Sequence, residues 1–90
     1  MIYVHVRHTV ADYAKWRPFF DGHAPARRAA GATGVHQVYR DLENPNQITI
    51  VTEWNTAEHA RAFLQDPALK EVMEAAGVIS APEGHILNRV

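Results

Sequence analysis

An α+β fold on a four-stranded antiparallel sheet follows from three observations. Period-two alternation of apolar and polar residues recurs in Ile2–His8, Val35–Arg40, Gln47–Trp54 and His85–Val90. Apolar residues spaced by three and four fill the stretch between the first and second of these segments, and again between the third and fourth. The resulting order is β-α-β-β-α-α-β, the split β-α-β pattern of ferredoxin-like domains with the second helix broken in two.

Each element has a local reason. In Ile2–His8, Ile2, Val4 and Val6 fall on one side and Tyr3, His5 and Arg7 on the other. Asp12 can cap a helix whose apolar stripe is Tyr13, Trp16, Phe20 and Ala24. Pro18 and Pro25 each remove a backbone donor, which predicts a kink or break near His23–Pro25. Gly31 is a natural left-handed stop. Val35–Arg40 and Gln47–Trp54 form a hairpin across the turn-forming residues from Asp41 to Asn46. Asn55, with Glu58 three residues on, predicts a helix start carrying Ala60, Phe63 and Leu64 inward. Asp66-Pro67 starts another, with stripe Leu69, Val72, Met73 and Ala76 and Gly77 at its end.

Ninety residues allow one domain, and a chain that short gains much from a partner subunit. A net charge of −1 with scattered basic residues excludes the electrostatic footprint of a nucleic-acid binder. No apolar run approaches the ~20 residues of a membrane span, and no basic-plus-apolar leader opens the sequence, so a cytoplasmic location is expected. With no cysteine, disulfides, thiolate metal sites and cysteine nucleophiles are excluded.

Pairing the last strand end to end with the first sets Ile2 opposite Val90 and Val6 opposite Ile86. Closing the hairpin around Glu43–Asn44 sets Gln37 opposite Ile50 and Val35 opposite Thr52. One face then holds Ile2, Val4, Val6, Val35, Ile48, Ile50, Ile86 and Val90, and belongs under the helices. The other holds Tyr3, His5, Arg7, His36, Val38, Arg40, Thr49, Val51, Glu53, His85, Leu87 and Arg89. That mixture suits a sheet-to-sheet homodimer interface. Four polar residues intrude on the covered face: His8, Gln37, Thr52 and Asn88. Each is costly there unless hydrogen-bonded or facing a wet cavity. With Trp16, Phe20, Phe63 and Met73 above them they describe a small-molecule pocket; the plainer alternative puts them at strand ends, bonded to water or backbone.

The run from Tyr3 to His8, the helix start Asp12-Tyr13 with Trp16, Glu53-Trp54 closing the third strand, and Asp66-Pro67 with Leu69 together resemble the dimeric α/β-barrel proteins. Within them the chain is similar to the antibiotic biosynthesis monooxygenase-like group. The resemblance covers nearly the whole chain and rests on structural motifs. It implies a homodimer joined sheet to sheet into an α/β barrel, with ligands held between sheet and helices. It also implies an enzyme resembling cofactor-independent monooxygenases or cyclases, acting on an activated organic molecule, for example an aromatic one. A non-catalytic ligand-binding or stress-related dimer is the competing class. Haem-degrading members use an Asn on the first strand, a Trp on the helix after the third and a His on the next helix. The first strand here has no Asn, and Phe63 and Met73 occupy the other positions, which argues against haem degradation.

His8 is the candidate acid or base, since imidazole can take and give a proton near neutrality. Glu53 and Trp54, ending a neighbouring parallel strand, are expected at its level, with Asp12 and Trp16 above. A carboxylate there would raise its pKa, and burial under Trp16 would lower it. His5, His36 and His85 share the open face with Glu53. Even so, His85 is expected across from Arg7 and out of step with His5, so no metal site is expected. His23 falls ~18 Å along its helix, at the Ile2 end of the sheet. With Arg27 it could hold an anionic group, a solvated face being the simpler reading. His59 is expected to be exposed. A lone Ser80 and no glycine-rich loop leave no serine triad and no phosphate cradle, and the resemblance to cofactor-independent oxygenases implies that no bound cofactor is required.

Overall fold

The computed structural model describes residues 1–90. Its elements are β1 (Ile2–Thr9), α1 (Tyr13–Gly22), α2 (Ala24–Ala30), β2 (Ala32–Arg40), β3 (Gln47–Trp54), α3 (Ala57–Gln65), α4 (Pro67–Ala75) and β4 (Glu83–Asn88). The strands form one sheet in the order β2-β3-β1-β4 with every neighbour antiparallel. This is the ferredoxin-like α+β arrangement that the alternation of elements predicts.

Local chemistry accounts for the helix boundaries. Asp12 is extended and accepts the Ala14 N–H at 2.9 Å, which caps α1. Pro18 stays inside α1, and the break comes at His23, which ends α1 and precedes α2. Gly31 ends α2 at φ 118°, and a Cβ there would lie 2.7 Å from the His59 ring, so both the conformation and the space select glycine. Asp66 caps α4 ahead of Pro67 as expected. The cap of α3 is Thr56 rather than Asn55. Thr56 is the extended residue, and its hydroxyl accepts the His59 N–H, while the Asn55 N–H is still bonded to Gly31 O.

The registers differ from expectation in two instructive ways. β4 begins two residues earlier, so Ile2 pairs with Asn88, Val4 with Ile86 and Val6 with Gly84. A two-residue slip preserves parity: Ile86 still packs against the core and Leu87 still faces away, while Val90 lies beyond the strand, fully exposed. The β2–β3 hairpin is off by one. Asp41 accepts N–H groups from Glu43 and Asn44, and an odd number of residues closes the loop between Arg40 and Ile48. Gln37 therefore pairs with Val51, and His36 and Val38 pair with Thr52 and Ile50. A one-residue shift moves a whole strand to the opposite face. His36 and Val38 go under the helices, and Val35 and Gln37 go to the open side. An irregularity between Ala32 and His36, with Gly34 at φ 99°, accommodates the start of β2.

The covered face supports two apolar clusters. Val10, Trp16, Phe20, Ile48, Ile50 and Ala76 form one; Val4, Val6, Ala32, Trp54 and Ala60 form the other. Trp54 and Ile48 have no exposed surface, and full burial of side chains this size contributes about 1.5–3 kcal/mol each. The opposite face has no helix over it. Val35, Tyr39 and Leu87 are exposed there, with Tyr3, His5 and Val51 half-buried between them. No helix is long and apolar enough to cross a membrane.

Candidate functional site

A cleft of about 600 Å³, counting its open mouth, lies between the covered sheet face and the helices. Strands β1 and β3 form its floor through Val4, Val6, His8, Ile50 and Thr52. Helices α1 and α4 wall it with Trp16, Phe20, Val72 and Met73, and Phe63 of α3 closes one end. Period two on the strands delivers alternate residues to the floor. Spacings of three and four on the helices deliver one stripe from each.

His8 is the outstanding polar group of the cleft. It is only 4% exposed, and neither Nδ1 nor Nε2 has a hydrogen-bond partner. Its ring meets Trp16 edge to face, with centroids 5.7 Å apart and planes at 83°. Burial holds its pKa below the ordinary imidazole value, so it is neutral at neutral pH. The expected carboxylate neighbour is absent because β1 and β3 run antiparallel, not parallel. His8 pairs with Ile48, whereas Glu53 pairs with Tyr3 at the far end and accepts hydrogen bonds from Tyr3 and Thr33. Asp12 is committed to its capping bond.

Trp16 and Phe20 stack at 5.2 Å and 26°, making one aromatic wall, and Trp54 supports Phe63 at 4.9 Å. Thr52 Oγ1 accepts the Trp54 indole N–H at 2.8 Å, which accounts for a hydroxyl buried on the floor. Of the residues expected to line the pocket, His8, Trp16, Phe20, Thr52, Phe63 and Met73 converge on the cleft. Gln37 and Asn88 do not. Gln37 is exposed on the open face through the hairpin register, and Asn88 is exposed at the Ile2 corner of the sheet.

Two cleft residues correct the reading of a solvated His23–Arg27 face. His23 is half-buried against Phe63, and both burial and the Arg27 charge lower its pKa. Arg27 is 7% exposed and donates from Nη1 to Phe20 O at 2.8 Å. The signal was present in the sequence: Trp16, Phe20, His23 and Arg27 continue a single stripe spaced by four, three and four. Elsewhere, His5 faces His85 directly across β1 and β4, and Glu83 rather than His85 stands opposite Arg7. No three His, Asp or Glu side chains converge as metal ligands would.

The sequence profile described as antibiotic biosynthesis monooxygenase matches residues 20–75, more than half of the chain. No curated protein matches. Among solved structures, an antibiotic-biosynthesis-monooxygenase-like protein from Bordetella bronchiseptica superposes with a TM-score of 0.80 at 20% identity, covering 99% of this chain and 96% of that one. SnoaB, a cofactor-independent oxygenase from Streptomyces nogalater, superposes at 0.72 with 20% identity, covering 99% and 92%. A protein of Mycobacterium tuberculosis superposes at 0.70 with 11% identity, covering 99% and 94%. At these identities the structural likeness is one of fold.

Proposed function

This chain belongs to the antibiotic biosynthesis monooxygenase family, and on that premise we propose that it oxygenates an electron-rich organic molecule without a bound cofactor. The observation that carries the reading is His8, a neutral imidazole lining an apolar cleft, its two ring nitrogens without a hydrogen-bond partner and occluded in the ligand-free protein. Once a ligand displaces the side chains over it, such a group is suited to accept a proton from an acidic C–H or O–H. Proton removal leaves a delocalised anion beside Trp16 and Phe20, where little water competes for the charge. The substrate's own electrons then reduce dioxygen: a ring CH₂ becomes C=O, one oxygen atom enters the product and the other leaves as water. The cofactor-independent oxygenase SnoaB shares the fold, which supports the same class of chemistry here.

The same proposal includes a homodimer joined through the open face, since Val51, Leu87, Tyr3 and Tyr39 form an apolar surface that no helix covers. The test is dioxygen uptake with 1,8-dihydroxyanthrone, whose central CH₂ is acidified by its neighbours. Uptake above the buffer rate, abolished in His8→Asn with the fold intact, is the expected result. An uptake rate equal to buffer would refute the oxygenase reading, and unchanged turnover in His8→Asn would refute the role of His8.

A further inference from the structure

Arg27 is a buried cation that the fold leaves without a counter-ion. Its exposure is 7%, and its one hydrogen bond goes to a backbone carbonyl, Phe20 O. The guanidinium carbon lies 3.9 Å from the Phe20 ring centroid, a stacking contact that supplies orientation but no negative charge. The one acid whose charge acts on it, Asp21, is held by Arg17 at 3.0 and 3.2 Å, in the chain's single ion pair. Guanidinium carries five N–H donors in a planar fork, so most of the fork is unspent. The Arg27 nitrogens that make no hydrogen bond are not fully occluded, unlike those of His8. Arg27 lines both the main cleft and a second cavity, whose other polar lining includes Arg28, His36 and Thr52 and no carboxylate.

Burying a charge without a partner is expensive, and a protein retains one where something else completes the pair. We propose that Arg27 anchors a carboxylate carried by the ligand of the main cleft, which makes that ligand a planar aromatic acid. This inference rests on the reading of the cleft as the ligand pocket. The succession of contacts sets the ligand's layout: His8 meets Trp16, Trp16 stacks on Phe20, and Phe20 stacks under Arg27, in steps of 5.7, 5.2 and 3.9 Å. A flat apolar body lies along Trp16 and Phe20, with its reactive end toward His8 and its acid toward Arg27. The planar fork matches a carboxylate in two-point geometry, which a lysine ammonium does not reproduce.

The experiment is titration calorimetry of the intact protein at pH 7.5 with 1-hydroxy-2-naphthoate and with its methyl ester. Both share the aromatic body and hydroxyl, and only the first carries the charge. The acid is expected to bind at least about tenfold more tightly than the ester, and Arg27→Gln should erase the difference between them. Equal binding of acid and ester to the unaltered protein would overturn the anchor and leave the pocket standing. A preference that survives in Arg27→Gln would overturn it by locating the anion elsewhere. Absence of binding by either compound would remove the pocket and the anchor together. The acid–ester comparison in the unaltered protein needs no variant, so it decides the matter even if Arg27→Gln does not fold.

Discussion

Replacing His8 by leucine should make the ligand-free protein more stable while destroying its chemistry. His8 is buried with two unpartnered ring nitrogens, and leaving a buried polar group unsatisfied costs about 1–3 kcal/mol. Leucine has a similar volume and no polar atom, so it relieves that cost. Against this stands the edge-to-face contact with Trp16, worth about 0.5–1.5 kcal/mol. The balance is a gain of about 1 kcal/mol, or roughly 4–8 °C in Tm for a domain of this size. The pH leg follows from the same burial. The folded state holds His8 neutral, so below about pH 6.5 the unfolded chain binds more protons than the folded one. Stability therefore falls as pH drops through that value, and the decline ends once the depressed folded-state pKa is passed. His23 is shifted in the same direction and adds to the effect, discounted for its partial exposure. Thermal unfolding followed by circular dichroism at pH 8.0 and pH 5.0, at one protein concentration, reads both effects. His8→Leu should melt higher at pH 8.0 and lose less on acidification. A lower melting temperature at pH 8.0 would show that the imidazole serves the fold, and the reasoning about spare nitrogens would be wrong.

Three other substitutions test neighbouring parts of the structure. Val51→Asp puts an unpaired charge in the open face and should convert the expected dimer into the 10.1 kDa monomer, lowering Tm with it; light scattering that finds only monomer in the unaltered protein at micromolar concentration would end the dimer proposal. Thr56→Ala should cost about 0.5–2 kcal/mol in denaturant titration by removing the cap of α3, whereas Asn55→Ala should cost little; the opposite order would contradict the observed cap. Thr52→Val keeps the shape of the floor but strands the Trp54 indole N–H, so it should destabilise by about 1–3 kcal/mol and alter the near-ultraviolet dichroism of Trp54. An unchanged unfolding midpoint would show that bond to be dispensable.

The aromatic half of the site was legible because it is written in short-range pattern. Trp16 and Phe20 share a helical stripe, Phe63 and Met73 sit on the inward faces of their helices, and His8 and Thr52 share strand parity with residues that had to be covered. Gln37 failed for a different kind of reason. Its face depends on how many residues the turn after Arg40 absorbs, and Asp41 settles that number by gathering the Glu43 and Asn44 N–H groups. Asn88 kept the expected parity but lost the position, since a strand can slide by two residues without exposing its apolar side.

The order of elements, the break at His23, the left-handed stop at Gly31 and the cap at Asp66 could all be read from local sequence. Each of these depends on backbone chemistry within a few residues. The tertiary structure alone decided which polar groups are buried and what they meet. Antiparallel pairing carries Glu53 away from His8 and leaves the imidazole neutral and unpartnered. Packing of α2 against the sheet turns the expected solvated Arg27 into a buried cation without an acid. Periodicity specifies which side of an element is apolar, but a charge or a ring nitrogen is partnered or orphaned by residues far along the chain, and only the assembled fold brings those residues near or keeps them apart.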